Sequence, residues 1–115
     1  MKVLVCGSRL WTDPWLILAE LRKLPSDVTI IHGGARGADR LGGTMAEGIG
    51  LKVIEVPAEW GRYGRSAGPI RNQKMLDMKP DLVLAFHEDI RTSKGTKHMV
   101  MIARKAGIET RVFDK

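Results

Sequence analysis

With 115 residues, 43% of them hydrophobic, the chain has the size of one domain with one sizeable core and no room for a second. Nineteen Lys and Arg against thirteen Asp and Glu give a net charge of +6, which attracts phosphate-bearing partners and equally suits a solvated basic surface. One cysteine, Cys6, excludes an internal disulfide and a paired-cysteine metal site, and no apolar run approaches membrane length.

The apolar start Met1–Val5 breaks at Cys6-Gly7-Ser8-Arg9, too early for a signal peptide, so the expectation is a cytoplasmic protein without membrane contact. Lys2 to Cys6 is a β-branched and leucine run that predicts a buried strand. Asp13 is placed to cap a helix with Pro14 at its first position, Trp15, Leu18, Leu21 and Leu24 as its inner stripe, and Pro25 as its stop. Val28 to His32 predicts a second strand, Ala38 to Gly48 a second helix and Leu51 to Val56 a third strand, each strand apolar enough to be covered on both faces. Gly42, Gly43, Gly48 and Gly50 crowd the second helix; glycine there costs stability, so close packing or a close ligand is implied. Pro69 is read as opening a third helix that lasts to Lys79-Pro80. Asp81 to Phe86 is the fourth strand, Gly95 to Ala106 the fourth helix, closed by Gly107, and Glu109 to Phe113 the fifth strand.

Five strands alternating with four helices predict an α/β fold over residues 1–115: a three-layer, Rossmann-like open parallel sheet, order 3-2-1-4-5, with helices on both faces. Ligands of such sheets lie beyond the carboxyl ends of the strands, so four loops matter. The first is Gly7-Ser8-Arg9. The second, His32-Gly33-Gly34-Ala35-Arg36-Gly37-Ala38-Asp39, sets three glycines between a strand and a helix and reads as a phosphate or ribose cradle or as a bare tight turn. It matches neither GxGxxG nor a P-loop. Arg36 adds charge there, Asp39 is either a ribose acceptor or a helix cap, and His32 reads as a hydrogen-bonded structural residue. The third loop, Pro57 to Gly68, is long and mixes Trp60 and Tyr63 with Arg62 and Arg65, the combination for stacking a base and binding phosphate, or for a subunit contact. Arg71 is expected in the first turn of the third helix, where a cation is unfavourable without an anionic partner, with Asn72 beside it. In the fourth loop Ser93-Lys94-Gly95-Thr96 is an anion nest or a simple cap, and Glu88 and Asp89 read as a solvated acidic turn. No metal or cofactor is expected, since His32, His87 and His98 lack ligand spacing, and no nucleophile elbow is present.

Together Gly7-Ser8-Arg9, the His32–Asp39 segment, Pro57-Ala58-Glu59-Trp60, Gly64-Arg65-Ser66-Ala67-Gly68-Pro69-Ile70-Arg71-Asn72, Met75 and Ser93-Lys94-Gly95-Thr96 resemble the SLOG superfamily, closest to its small YspA-like, YpsA-related branch. The resemblance implies a Rossmann-like domain that binds or processes nucleotides or nucleotide-derived ligands, found in bacteria and phages and often dimeric, so a homodimer is expected. Arg71-Asn72-Gln73-Lys74-Met75 and Ser93-Lys94-Gly95-Thr96-Lys97-His98-Met99 are also similar to two elements of the cytokinin-activating phosphoribohydrolases. Where those enzymes place a glutamate this chain has Met99, which neither stabilises an oxocarbenium-like centre nor accepts a proton. Arg71 therefore fits phosphate binding, and Glu59 or Asp39 is the candidate substitute carboxylate.

The leading expectation is binding of a nucleoside monophosphate or ADP-ribose-like ligand by Gly7, Ser8, Arg9, Gly33, Gly34, Arg36, Gly37, Asp39, Trp60, Arg65, Arg71, Asn72, Ser93, Gly95 and Thr96. The alternatives are N-glycosidase action on nucleoside monophosphates, with Arg71, Glu59 and Asp39 as catalytic candidates, and binding of single-stranded nucleic acid.

Overall fold

A computed structural model describes residues 1–114. Their order is β1 (Lys2–Gly7), α1 (Pro14–Leu21), β2 (Thr29–His32), α2 (Ala38–Gly48), β3 (Lys52–Glu55), α3 (Trp60–Tyr63), α4 (Ala67–Asp77), β4 (Leu82–Phe86), α5 (Gly95–Lys105) and β5 (Glu109–Phe113), with single 3₁₀ turns at Gly64–Ser66 and Ile90–Thr92. All neighbouring strands pair in parallel in the order β3-β2-β1-β4-β5. The fold is the expected one.

Strand alternation sorts the apolar residues into two layers. Val3, Val5, Ile30, Leu82, Leu84 and Phe86 face α1 and α2, with Trp11 and Phe113 packed on Phe86. Leu4, Cys6, Ile31, Val83 and Ala85 face α4 and α5 through Met75, Met99, Val100 and Ala103. Two of the glycines in α2 explain themselves: a Cβ on Gly42 would stand 2.7 Å from a Val5 methyl, and one on Gly43 would stand 2.6 Å from Nε2 of His32. The helix therefore lies almost on the sheet. Gly48 and Gly50 meet nothing and serve only the turn that ends it.

Three expectations need correction. Asp13 does cap α1, accepting from the Trp15 N–H at 2.9 Å, but the helix ends at Leu21 and its inner face is Ile17, Glu20 and Leu21. Trp15 lies two residues, about 200° of helix, from Ile17 and is 70% exposed, while Leu18 is half-buried. As an outermost strand β3 has a partner on one side only, and Lys52, Ile54 and Glu55 are exposed, so it is not covered on both faces. Pro57 to Gly68 is not an open loop: α3 and a 3₁₀ turn occupy its second half, and α4 starts at Ala67, two residues before Pro69. Pro69 is tolerated at its third position because the first four N–H groups of a helix have no internal partner. Arg71 consequently stands on the second turn, not the first.

Candidate functional site

The chain leaves β1 towards β2 and β3, then returns to place β4 against the other side of β1. At that reversal the loops after β1 and β4 diverge and open a crevice. A cleft of about 690 Å³ fills it, floored by Cys6, Met75 and Met99. Gly7, Ser8, Arg9, Asp39, Arg71, Asn72, Ser93, Gly95 and Thr96 line its walls, with His87, Glu88, Asp89, Thr92 and Lys94 on the β4 side. A second cleft of about 380 Å³ lies over the ends of β2 and β3, lined by Gly33, Gly34, Arg36, Arg40, Glu55, Pro57, Ala58 and Trp60. Arg9, Ala35 and Arg71 line both, so two guanidinium side chains stand in the partition between them.

Arg71 is held by its neighbours. Its Nη1 donates to the Gly33 carbonyl at 2.7 Å and its Nε donates to Asn72 Oδ1 at 3.0 Å. The Nδ2 of buried Asn72 in turn donates to the Gly95 carbonyl at 3.2 Å and sits 3.1 Å from His98 Nδ1. This chain of bonds ties the loop after β2 to α4 and to the start of α5 across the carboxyl edge of the sheet. Gly33 is glycine for a steric reason: a Cβ there would overlap the Arg71 guanidinium and stand 2.9 Å from Asp39 Oδ2. Gly37, at φ +84°, packs on the loop after β1, where a Cβ would stand 2.7 Å from Arg9 Cα. It shapes the rim and faces neither cleft.

Asp39 is the buried carboxylate of the site. The Gly33 N–H donates to its Oδ2 at 2.9 Å. Burial pushes its pKa up to about 6, while Arg71 and the backbone N–H groups of Gly33, Ala35 and Gly7 pull the other way. Backbone donors of the glycine-rich segment thus already converge on an internal anion. Asp39 does not cap α2, whose N-cap Gly37 carries no side chain. His32 is buried, and its Nδ1 accepts from the Gly34 N–H at 3.0 Å, which puts any ring proton of the neutral form on Nε2. Burial lowers its pKa and keeps the ring neutral, a structural role as expected.

Ser93 caps α5, its Oγ accepting from the N–H groups of Thr96 and Lys97 at 3.0 and 3.3 Å. Ser8 Oγ donates to Glu88 Oε1 and accepts from the Leu10 N–H, both at 2.9 Å, joining the β1 and β4 loops. Glu59 pairs with Lys74 at 3.5 Å and lines neither cleft, and Arg65 is exposed outside both. Arg62 lies over the Tyr63 ring at 5.0 Å, so that pair is engaged with itself. Glu55 and Arg40 line the smaller cleft and are candidate residues that sequence reasoning passed over; their signal is position, at a strand end or in the first turn of a helix on the carboxyl edge. No group of three or more potential metal ligands occurs among the described residues, and no helix among them is long and apolar enough to cross a membrane.

The charge is unevenly divided. Arg9, Arg36, Arg40 and Arg71 line the smaller cleft against the single carboxylate of Glu55, and none of the four forms an ion pair within 4 Å among the described residues. The larger cleft sets Arg9, Arg71 and Lys94 against Asp39, Glu88 and Asp89.

Residues 1–63 match the model of the family described as "YspA, cpYpsA-related SLOG family". The "Gene 61 protein" of Mycobacterium phage D29 is 39% identical over 116 aligned residues, covering 93% of this chain and 91% of that protein. DNA processing protein A (DprA) of Streptococcus pneumoniae superposes over 96% of this chain with a TM-score of 0.80 at 20% identity, which is a likeness of fold. This chain spans 49% of that one. With more than half its length matched by the family model and a phage relative aligned almost end to end, the chain belongs to the YspA, cpYpsA-related SLOG family.

Proposed function

We propose that this domain binds a nucleotide or nucleotide-derived ligand, such as a nucleoside monophosphate or an ADP-ribose-like molecule, at the carboxyl ends of its strands, as a sensor or processing domain. The observation that carries the reading is Arg71, fixed at the switch point, lining both clefts as Arg9 does and without a salt bridge within 4 Å among the described residues. Guanidinium groups fixed in a crevice with N–H donors to spare favour phosphate oxygens. Gly7, Ser8, Asn72, Gly95 and Thr96 frame the rest of the larger cleft and offer hydroxyl, amide and backbone groups to sugar and base. Isothermal titration calorimetry with mononucleotides and ADP-ribose tests the reading: saturable binding lost in Arg71→Ala supports it, and no binding of any of them at millimolar concentration refutes it.

Binding of single-stranded nucleic acid is the second reading, favoured by four arginines without a salt bridge among the described residues that share a cleft with the half-exposed Trp60, and by the likeness to a DNA processing protein. A steep loss of oligonucleotide affinity with rising salt is its signature. N-glycosidase action is less favoured, because Glu59 stands outside the clefts and Asp39 is buried and already accepts from the Gly33 N–H. We take the working form to be a cytoplasmic homodimer; light scattering at twice 12.8 kDa would establish the dimer.

A further inference from the structure

We infer that the ligand of this site is two-headed: two nucleoside-type groups joined through phosphate, straddling the Arg9–Arg71 partition. The inference rests on the nucleotide-binding reading above and adds the class of ligand. Two clefts, rather than one, open on the partition, and each falls by itself within the range of about 300–1,000 Å³ typical of small-molecule sites. Their chemistry differs. In the smaller cleft the guanidinium groups without an ion-pair partner among the described residues share the lining with Trp60, a residue 52% exposed whose aromatic side chain is available for stacking. A base stacked there would have its own phosphate within the guanidinium cluster. In the larger cleft Asp39 and Glu88 offset two of the three cations, Asp89 being paired with Arg91, and the apolar floor together with the Glu88 carboxylate and Thr96 hydroxyl suits the hydroxyls and base of a second nucleoside. A mononucleotide fills one of these environments and leaves the other empty.

Two linkages share this chemistry, a pyrophosphate joining two nucleosides 5′ to 5′ and a phosphodiester joining them as in a dinucleotide of single-stranded DNA. Calorimetry on the full chain would compare AMP, nicotinamide adenine dinucleotide and 5′-phosphorylated d(ApA), with tryptophan fluorescence followed in parallel. At least one two-headed ligand is expected to bind about tenfold or more tightly than AMP and to quench fluorescence, the gain stacking provides per base. Trp60→Leu should abolish the quench and lower the two-headed affinity about tenfold, and Arg36→Ala with Arg40→Ala should lower it as well. Whichever linkage gains more identifies the source. Equal affinity for AMP and both two-headed ligands, or a two-headed affinity unchanged in Trp60→Leu, overturns the inference and leaves nucleotide binding standing; absence of binding by all three overturns both.

Discussion

Asp39→Asn isolates the electrostatic cost built into the carboxyl edge of the sheet. Burial holds the Asp39 carboxyl at about 6 against an ordinary value of 3.8, so between those values the folded chain keeps a proton that the unfolded chain has lost. Stability from this group is therefore complete below pH 4 and is lost as pH rises through 6. At 1.36 kcal/mol per unit, a shift of about two units amounts to about 3 kcal/mol between the two limits. Asparagine retains the shape and one acceptor oxygen for the Gly33 N–H but does not titrate. Urea unfolding of both proteins at pH 4 to 8 should show the stability of Asp39→Asn relative to wild type climbing by about that amount, most steeply between pH 4 and 6. Subtraction removes the opposing contribution of His32, whose lowered pKa weakens the fold as pH falls, provided the neighbour's change leaves that ring neutral. A difference profile flat with pH would refute the buried, strained carboxylate.

Gly33→Ala drives a methyl into the space of the Arg71 guanidinium, so about 1–3 kcal/mol of stability should be lost, as for other overpacked sites, together with nucleotide affinity. Urea unfolding and calorimetry on the same sample would show both losses. Asn72→Ala removes the partner of Arg71 Nε and of the Gly95 carbonyl, with an expected cost of about 1–3 kcal/mol and a weakened hold on phosphate that raising the nucleotide concentration should overcome. Met99 is buried in the layer under α5, so Met99→Glu should lose about 3 kcal/mol or more for an uncompensated charge and still release no free base from AMP. Base release by that variant, followed chromatographically, would revive the glycosidase reading.

Strand order and the two-layer core were legible because β1, β2 and β4 are nearly continuous apolar runs, and the glycine and proline punctuation marked most of the turns. The failures have local causes. Trp15 and Leu18 share the spacing of an inner stripe with Leu21, yet the eight-residue helix turns Ile17 inward, and hydrophobicity alone does not separate a tryptophan on the surface from one in the core. Pro69 reads as a helix start because that is proline's commonest place in a helix, but the rest of the first turn also accepts it. At the site, the glycine-rich loop was visible as a loop whose backbone approaches something closely. That its donors meet Asp39 six residues on, and that Arg71 comes from 38 residues away to seat on Gly33, are tertiary facts that no local spacing encodes.

Arg71 faces both clefts through one guanidinium already tethered at Nε and Nη1. On the reading proposed above, whatever seats it on one side bears on its position for the other, so occupancy of the two clefts is expected to be coupled. By linkage the coupling is reciprocal: a group that tightens binding in the larger cleft by some factor is itself held more tightly, by the same factor, when the smaller one is filled.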